Sequence, residues 1–163
     1  MKIALSTDHA GFEQLKQIKT FLVSEGHTWV DFGPEELDPA DDYPDFIFPA
    51  AHAVVSGECE FGIILGRSGQ GEAMAANRVK GARCAVFYGS AVPKQAVDAS
   101  GEISEDPYEV VRRSRLHNDA NMLSLAAVYL DEEEIQTAIR LWLSAPFDGG
   151  RHARRVQKLD ELS

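Results

Sequence analysis

The stretch Gly62-Ile-Ile-Leu-Gly-Arg-Ser-Gly-Gln-Gly-Glu-Ala-Met-Ala-Ala-Asn77 constrains the fold more than any other part of this chain. Ile63 to Leu65 is an apolar run of strand length. Gly66 to Gly71 is a glycine-rich loop, and a helix-forming run begins at Glu72 and Ala73. A strand that breaks through glycines into a helix makes an anion site: small residues let backbone N–H groups face a ligand, and the helix dipole favours negative charge. A carboxylate at that helix start has two readings. Glu72 complements the helix dipole, or it acts as a base beside a nest of N–H groups that stabilises an oxyanion. The loop matches neither common nucleotide motif. A Walker A loop needs Lys and then Ser or Thr where Glu72-Ala73 stand, and the spacing of Gly66, Gly69 and Gly71 is not G-x-G-x-x-G.

Other segments alternate in the same way. Lys2 to Ser6 reads as a first strand ending at Thr7-Asp8-His9-Ala10-Gly11, and Phe12, Leu15, Ile18, Phe21 and Leu22 follow at helical spacing up to a capping Gly26. Thr28 to Phe32 is a second strand, Glu35 to Asp42 an acidic loop, and Asp42-Tyr43-Pro44-Asp45 opens a helix that stops before Gly57. After the glycine-loop unit come a fourth strand (82–88), a weakly periodic loop or lid (about 89–105), a helix (about 107–116) and a fifth strand (122–130). Asp131, with Glu134 three residues on, is a capping-box start for a helix through Leu143. Pro146 and Gly149-Gly150 interrupt the chain before a last helix from Arg151. Alternating strands and helices imply parallel β-α-β units. The expected fold is a Rossmann-like three-layer αβα sandwich on a five-stranded, mostly parallel sheet, one domain over residues 1–163, with its ligand crevice beyond the carboxyl ends of the strands.

Composition narrows the function. The formal net charge of −10 argues against general nucleic-acid or anionic-membrane binding, and no apolar stretch approaches membrane-spanning length. Lys2 to Ser6 is too short for a secretory signal, and Cys59 and Cys84 have neither metal-ligand nor disulfide-framework spacing, so the expected compartment is the cytoplasm. Against that acidity, Arg151, Arg154 and Arg155 form a basic cluster suited to a small anionic ligand. Arg151 and Arg155 share a helix face at i, i+4 and suit a phosphate, or else form a solvated basic surface. Asp8-His9 at a strand end either handles a proton and contacts an anion or simply caps the next helix. His117-Asn118-Asp119-Ala120-Asn121 suits proton transfer and hydroxyl recognition, and equally suits a turn.

Together, Ser6 to Phe12, Asp42 to Asp45, Gly66 to Asn77, His117 to Asn121 and Pro146 to Arg155 resemble the type B ribose-5-phosphate isomerases, within the group that includes galactose-6-phosphate isomerase subunits. The resemblance implies an aldose–ketose isomerase that works through a cis-enediolate without metal or organic cofactor. Glu72 would move the proton between C2 and C1, in a branch whose base is this glutamate and not a cysteine at the position of Gly66. Backbone N–H groups around Ser68, Gly69 and Gly71 would hold the enediolate oxygen. His117 would open the sugar ring with Asp8 as proton partner, Tyr43 and Asn118 would line the sugar, and His9, Arg151 and Arg155 would contact the phosphate. Dimers with sites drawn from both subunits, possibly paired into tetramers, are implied, with the C-terminal helix (about 150–163) packing on the partner. Three departures stand out. Val128 occupies a position where many members have arginine, for which Arg112, Arg113 or Arg115 are candidate substitutes. The 89–105 segment is an insertion. Arg67 stands in the catalytic loop where a small residue is expected, and there it offers a further phosphate or hydroxyl contact. The insertion and Val128 leave a tetrose or hexose phosphate open as the substrate, and a non-catalytic phosphate- or nucleotide-binding module is the alternative class.

Overall fold

The computed structural model describes residues 1–162; Ser163, the last residue of the expected C-terminal helix, lies outside the described residues. The strands are β1 (Lys2–Ser6), β2 (Thr28–Asp31), β3 (Phe61–Gly66), β4 (Cys84–Phe87) and β5 (Met122–Ala126). The helices are α1 (Phe12–Ser24), α2 (Tyr43–Val55), α3 (Gln70–Ala76), α4 (Glu109–Asn118), α5 (Glu132–Ser144) and α6 (Arg151–Leu162). The strands form one sheet in the order β2-β1-β3-β5-β4, and every ladder is parallel.

Alternation within the strands builds the three layers. Ile3, Leu5, Ile63, Leu65, Leu123 and Leu125 pack against α1, α4 and α5 through Leu15, Ile18, Leu22, Val111, Ile139 and Trp142. Ala4, Ile64 and Met122 face Ile47, Ala50, Ala51 and Val54 of α2 and Ala75 and Ala76 of α3. A sheet covered on both sides needs apolar residues at successive positions, which is why these strands read as unbroken apolar runs. The N-terminus of α5 is the expected capping box: Asp131 accepts from the Glu134 N–H at 2.8 Å, and the Glu134 carboxylate accepts from the Asp131 N–H at 3.2 Å.

Several boundaries differ from the sequence reading. The fifth strand stops at Ala126 instead of Leu130, because the next N–H groups turn back: Ala127 donates to the Gly66 carbonyl, Val128 to Arg67, and Tyr129 to Ala126. An unbroken apolar run does not mark its own end. The fourth strand is shorter at both ends, Cys84–Phe87 instead of 82–88. The chain reverses direction across the sheet between β1 and β3: from β1 it moves to β2 on one side, and from β3 to β4 at the far edge of the other, with β5 filling the gap between. That switch point is where a ligand crevice belongs.

Candidate active site

Beyond Ser6 the chain enters the crevice through buried Thr7 and Asp8. Asp8 caps the short 3-10 turn His9–Gly11, accepting the Ala10 N–H at 2.9 Å, so the capping reading holds; the residue also lines the crevice. His9 is fixed by Asp41, whose Oδ1 lies 2.6 Å from His9 Nδ1 and accepts the His9 backbone N–H at 3.2 Å. The Asp41 hydrogen bond pushes the His9 pKa up, with added attraction from Asp8, against the opposing effects of burial and Arg67. An imidazole whose charged form is favoured in this way suits an anion at the strand end. The other oxygen of Asp41 is buried without a donor, as is the hydroxyl of Ser6. Asp41, hidden in an acidic loop, is a site residue that sequence reasoning missed; nothing local sets it apart from Asp38 or Asp42. Donor atoms of Asp8, His9 and Asp41 lie within 4.8 Å of one another, the one group among the described residues that could hold a cation.

At the neighbouring strand end, the glycine loop carries Arg67 and Ser68 and turns through Gly69 at φ 71° into α3. The left-handed backbone requires glycine, and a Cβ there would also meet Ser124 Oγ at 2.9 Å. Ser124 Oγ in turn donates to the Gly69 carbonyl at 2.7 Å, tying the loop to β5. The ring of Tyr43 packs over Gly71, where a Cβ would come within 2.9 Å of Tyr43 Cζ. The first N–H groups of this helical turn have no carbonyl partner within the helix; that of Gln70 donates to Ser68 Oγ at 3.4 Å.

Glu72 lies in the first turn of α3 and is 5% exposed. Its carboxyl group fills the space above Gly66: a Cβ at residue 66 would stand 1.8 Å from Oε1 and 1.9 Å from Cδ. Glycine at 66 is therefore what admits the glutamate. Burial pushes the Glu72 pKa up; its own N–H and His9 oppose this, while Asp8 adds to it. A carboxylate with its proton affinity raised in this way is better suited than a solvated one to take a proton from carbon. Burial and then the charge of Glu72 push the Cys84 thiol on β4 up, and burial does the same to Cys59, so neither thiol is favoured as a thiolate.

The remaining candidates lie elsewhere. α4 runs antiparallel to the strands, so His117 and Asn118 at its end sit at the amino edge of the sheet, beside the start of β5. Gly62 and Gly66 mark the two edges along β3, about 13 Å apart at strand rise. His117 stacks on His152 of α6, with centroids 4.2 Å apart and 10° between the rings, and Arg151 Nε reaches His152 at 3.4 Å. Arg155 follows one turn on, exposed. One chain thus assembles two half-sites: Asp8, His9, Tyr43, Arg67, Ser68, Gly69, Gly71 and Glu72 at one edge, and His117, Asn118, Arg151 and Arg155 at the other. His152 and Arg113, which reaches His117, join the second group; their sequence signal was only i, i+4 spacing and basic clustering.

The candidate arginine substitutes are accounted for. Arg112 pairs with Asp106, and Arg115 with Asp119 while lying over the Phe61 ring. Arg113 pairs with Glu102 and Glu109. Arg67 forms no side-chain hydrogen bond or ion pair among the described residues, and its carbonyl accepts the Val128 N–H at 3.3 Å. Arg67, whose backbone adjoins that of Val128, thus keeps an uncommitted guanidinium close enough for its charge to act on His9. No helix among the described residues is long and apolar enough to cross a membrane.

Comparison with known proteins agrees with this fold. The family described as Ribose/Galactose Isomerase matches residues 3–100 and 104–159. The chain is 38% identical to ribose-5-phosphate isomerase B of Clostridium thermocellum, over 99% of this chain and 97% of that one, with a TM-score of 0.84. It is 31% identical to the enzyme from Mycoplasma genitalium solved with bound ribulose 5-phosphate, over 99% and 95% of the two chains, with a TM-score of 0.83. Ribose-5-phosphate isomerase B of Mycobacterium leprae is 33% identical over 163 residues, 99% of this chain and 90% of that protein. The chain belongs to the ribose/galactose isomerase family and is an isomerase.

Proposed function

We propose that the protein interconverts ribose 5-phosphate and ribulose 5-phosphate through a cis-enediolate, as a homodimer whose sites each draw on both subunits. The observation that carries the chemistry is the Glu72 carboxyl group, buried over Gly66 with its proton affinity raised by burial. Glu72 takes the C2 proton of the open-chain aldose, and the C1 oxygen receives the negative charge. The N–H groups around Ser68, Gly69 and Gly71 hold that charge. The O2 proton passes to O1, O2 becomes the carbonyl oxygen, and Glu72 returns its proton to C1. His117 and Asp8 open the furanose ring, and Tyr43 and Asn118 line the sugar. His9, Arg67, Arg151 and Arg155 neutralise the phosphate, Arg67 from beside Val128. The chemistry uses no metal.

The homodimer reading rests on the two half-sites. Roughly 13 Å along the strand separates their edges, more than a pentose phosphate spans while still touching both. A second copy that docks its amino-edge cluster, carried by α4 and α6, against the first copy's glycine loop completes two equivalent sites, as an isologous interface requires. The bound ribulose 5-phosphate of the Mycoplasma genitalium relative supports the pentose substrate. Free thiols and an acidic surface suit the cytoplasm.

A coupled assay in EDTA with tetrose, pentose and hexose phosphates tests this reading. Preference for ribose 5-phosphate is expected. Preference for another length would overturn the substrate, and no turnover on any would overturn the reaction.

A further inference from the structure

Arg113 joins the amino-edge group only through His117, and all three of its guanidinium nitrogens are committed. Nε donates to Glu109, Nη2 donates to Glu102 at 2.7 Å, and Nη1 lies 3.0 Å from His117 Nε2. Its side chain is 18% exposed, so these contacts are partly screened from water. A guanidinium can only donate. Its partner nitrogen on His117 must therefore hold a lone pair, and the ring proton must sit on Nδ1.

The groups facing this imidazole from other elements do not reverse that assignment. Asp148, in the loop before α6, would favour a proton on Nε2, but its Oδ2 is 3.7 Å away, beyond hydrogen-bond distance and farther than Arg113. His152 covers one face of the ring, with Arg151 behind it. Nδ1 has no hydrogen-bond partner among the described residues, so with Nε2 engaged and one face covered, the Nδ1 edge is what the ring presents.

Glu102 connects this arrangement to the segment between β4 and α4. That segment is held down along α4 and α5: Ser90 donates to Glu134, Ser104 to Glu109, and Asp106 receives Arg112. We propose that Arg113 is a positioning residue that fixes His117 as the Nδ1–H tautomer, offering Nδ1–H to the sugar oxygens, and that the 89–105 segment braces this arginine through Glu102. The proposal rests on the isomerase reading of His117 but makes a claim of its own about the tautomer.

Two measurements on the full-length protein test it. The first is long-range 1H–15N correlation on imidazole-labelled protein near neutral pH. Wild type is expected to show His117 with Nδ1 protonated. Arg113→Met shifts the tautomer ratio about tenfold toward Nε2–H, the preference that a hydrogen bond to a charged group supplies, and Arg113→Lys restores part of it. Nε2–H in wild type, or an unchanged ratio in Arg113→Met, would overturn the proposal.

The second measurement compares net isomerisation with deuterium wash-in at C1 of ribulose 5-phosphate in D2O. Ribulose 5-phosphate, whose C5 oxygen is esterified, is an open chain, so wash-in needs enolisation but no ring chemistry. Arg113→Met is expected to slow isomerisation about tenfold and wash-in less than twofold, and Glu102→Gln to do the same more weakly. Equal loss of both activities would overturn the positioning role. Absence of both from wild type would instead overturn the isomerase reading, with the tautomer measurement still deciding the arginine contact.

Discussion

Replacing Gly66 with alanine tests the placement of the base without touching the base itself. The new Cβ would stand 1.8 Å from Glu72 Oε1, 1.9 Å from Cδ and 2.3 Å from Oε2. Ordinary contact begins near 3.4 Å, so the carboxyl group must retreat by about 1.6 Å. It is the mobile end of a side chain, so retreat is easy and the fold survives. Gly66 closes β3 without a positive φ, so alanine adds no backbone strain and reduces the freedom of the unfolded chain, worth about 0.4–1 kcal/mol of stabilisation. Catalysis is less forgiving: misplacing a reacting group by 1 Å costs on the order of 10²-fold, or about 2.7 kcal/mol of transition-state stabilisation. Gly66→Ala is therefore expected to keep Tm at or slightly above wild type while kcat for ribose 5-phosphate falls about a hundredfold. In Glu72→Gln, adding Gly66→Ala should cost almost nothing more, because both changes remove the same function. A single mutant within threefold of wild-type kcat, or additive losses in the double mutant, would refute the assignment of Glu72 as a base held over Gly66.

Glu72→Gln alone should cost about 10²–10⁴-fold in turnover, the range for a general base. Because the folded-state pKa of Glu72 is raised, the folded protein binds more protons than the unfolded chain between the two pKa values; stability falls as pH rises through that window, and Glu72→Gln should flatten this fall in pH-dependent denaturation curves. In kcat/KM the same raised pKa places the acid limb above the ordinary glutamate range, visible in a pH–rate profile. Mixing inactive Glu72→Gln and His117→Ala subunits, with exchange between dimers, should recover about a quarter of wild-type activity: half the dimers are mixed, and each has one intact shared site. No recovery would place both residues in one chain's site. Arg67→Met should raise KM roughly tenfold or more with little change in kcat, the loss of one charge-assisted contact, and an unchanged KM would remove Arg67 from the phosphate site.

What could be read from residues alone was whatever depends on neighbours in sequence. The first strand, Lys2–Ser6, shows as an apolar run bounded by polar residues, and α5 begins where its Asp131–Glu134 pair permits. The glycine loop signalled its strand-to-helix turn because a backbone that reaches φ 71° at Gly69 tolerates few other residues. Where the apolar pattern continued past a boundary it misled. Ala127 to Leu130 looks like more of the fifth strand, but its N–H groups close a turn onto the glycine loop.

The sequence by itself determined the layered α/β architecture and nominated candidate site residues, because periodicity and turn chemistry are local properties. Only the tertiary structure decided how those residues divide. Asp41 reached His9 across a gap of 32 residues, and Glu72 came to rest over Gly66. His117 was carried to the opposite edge from Glu72 by the antiparallel run of α4. Such partnerships arise from strand order and helix direction, which bring distant segments together by burying apolar faces, and no pattern within either segment encodes them.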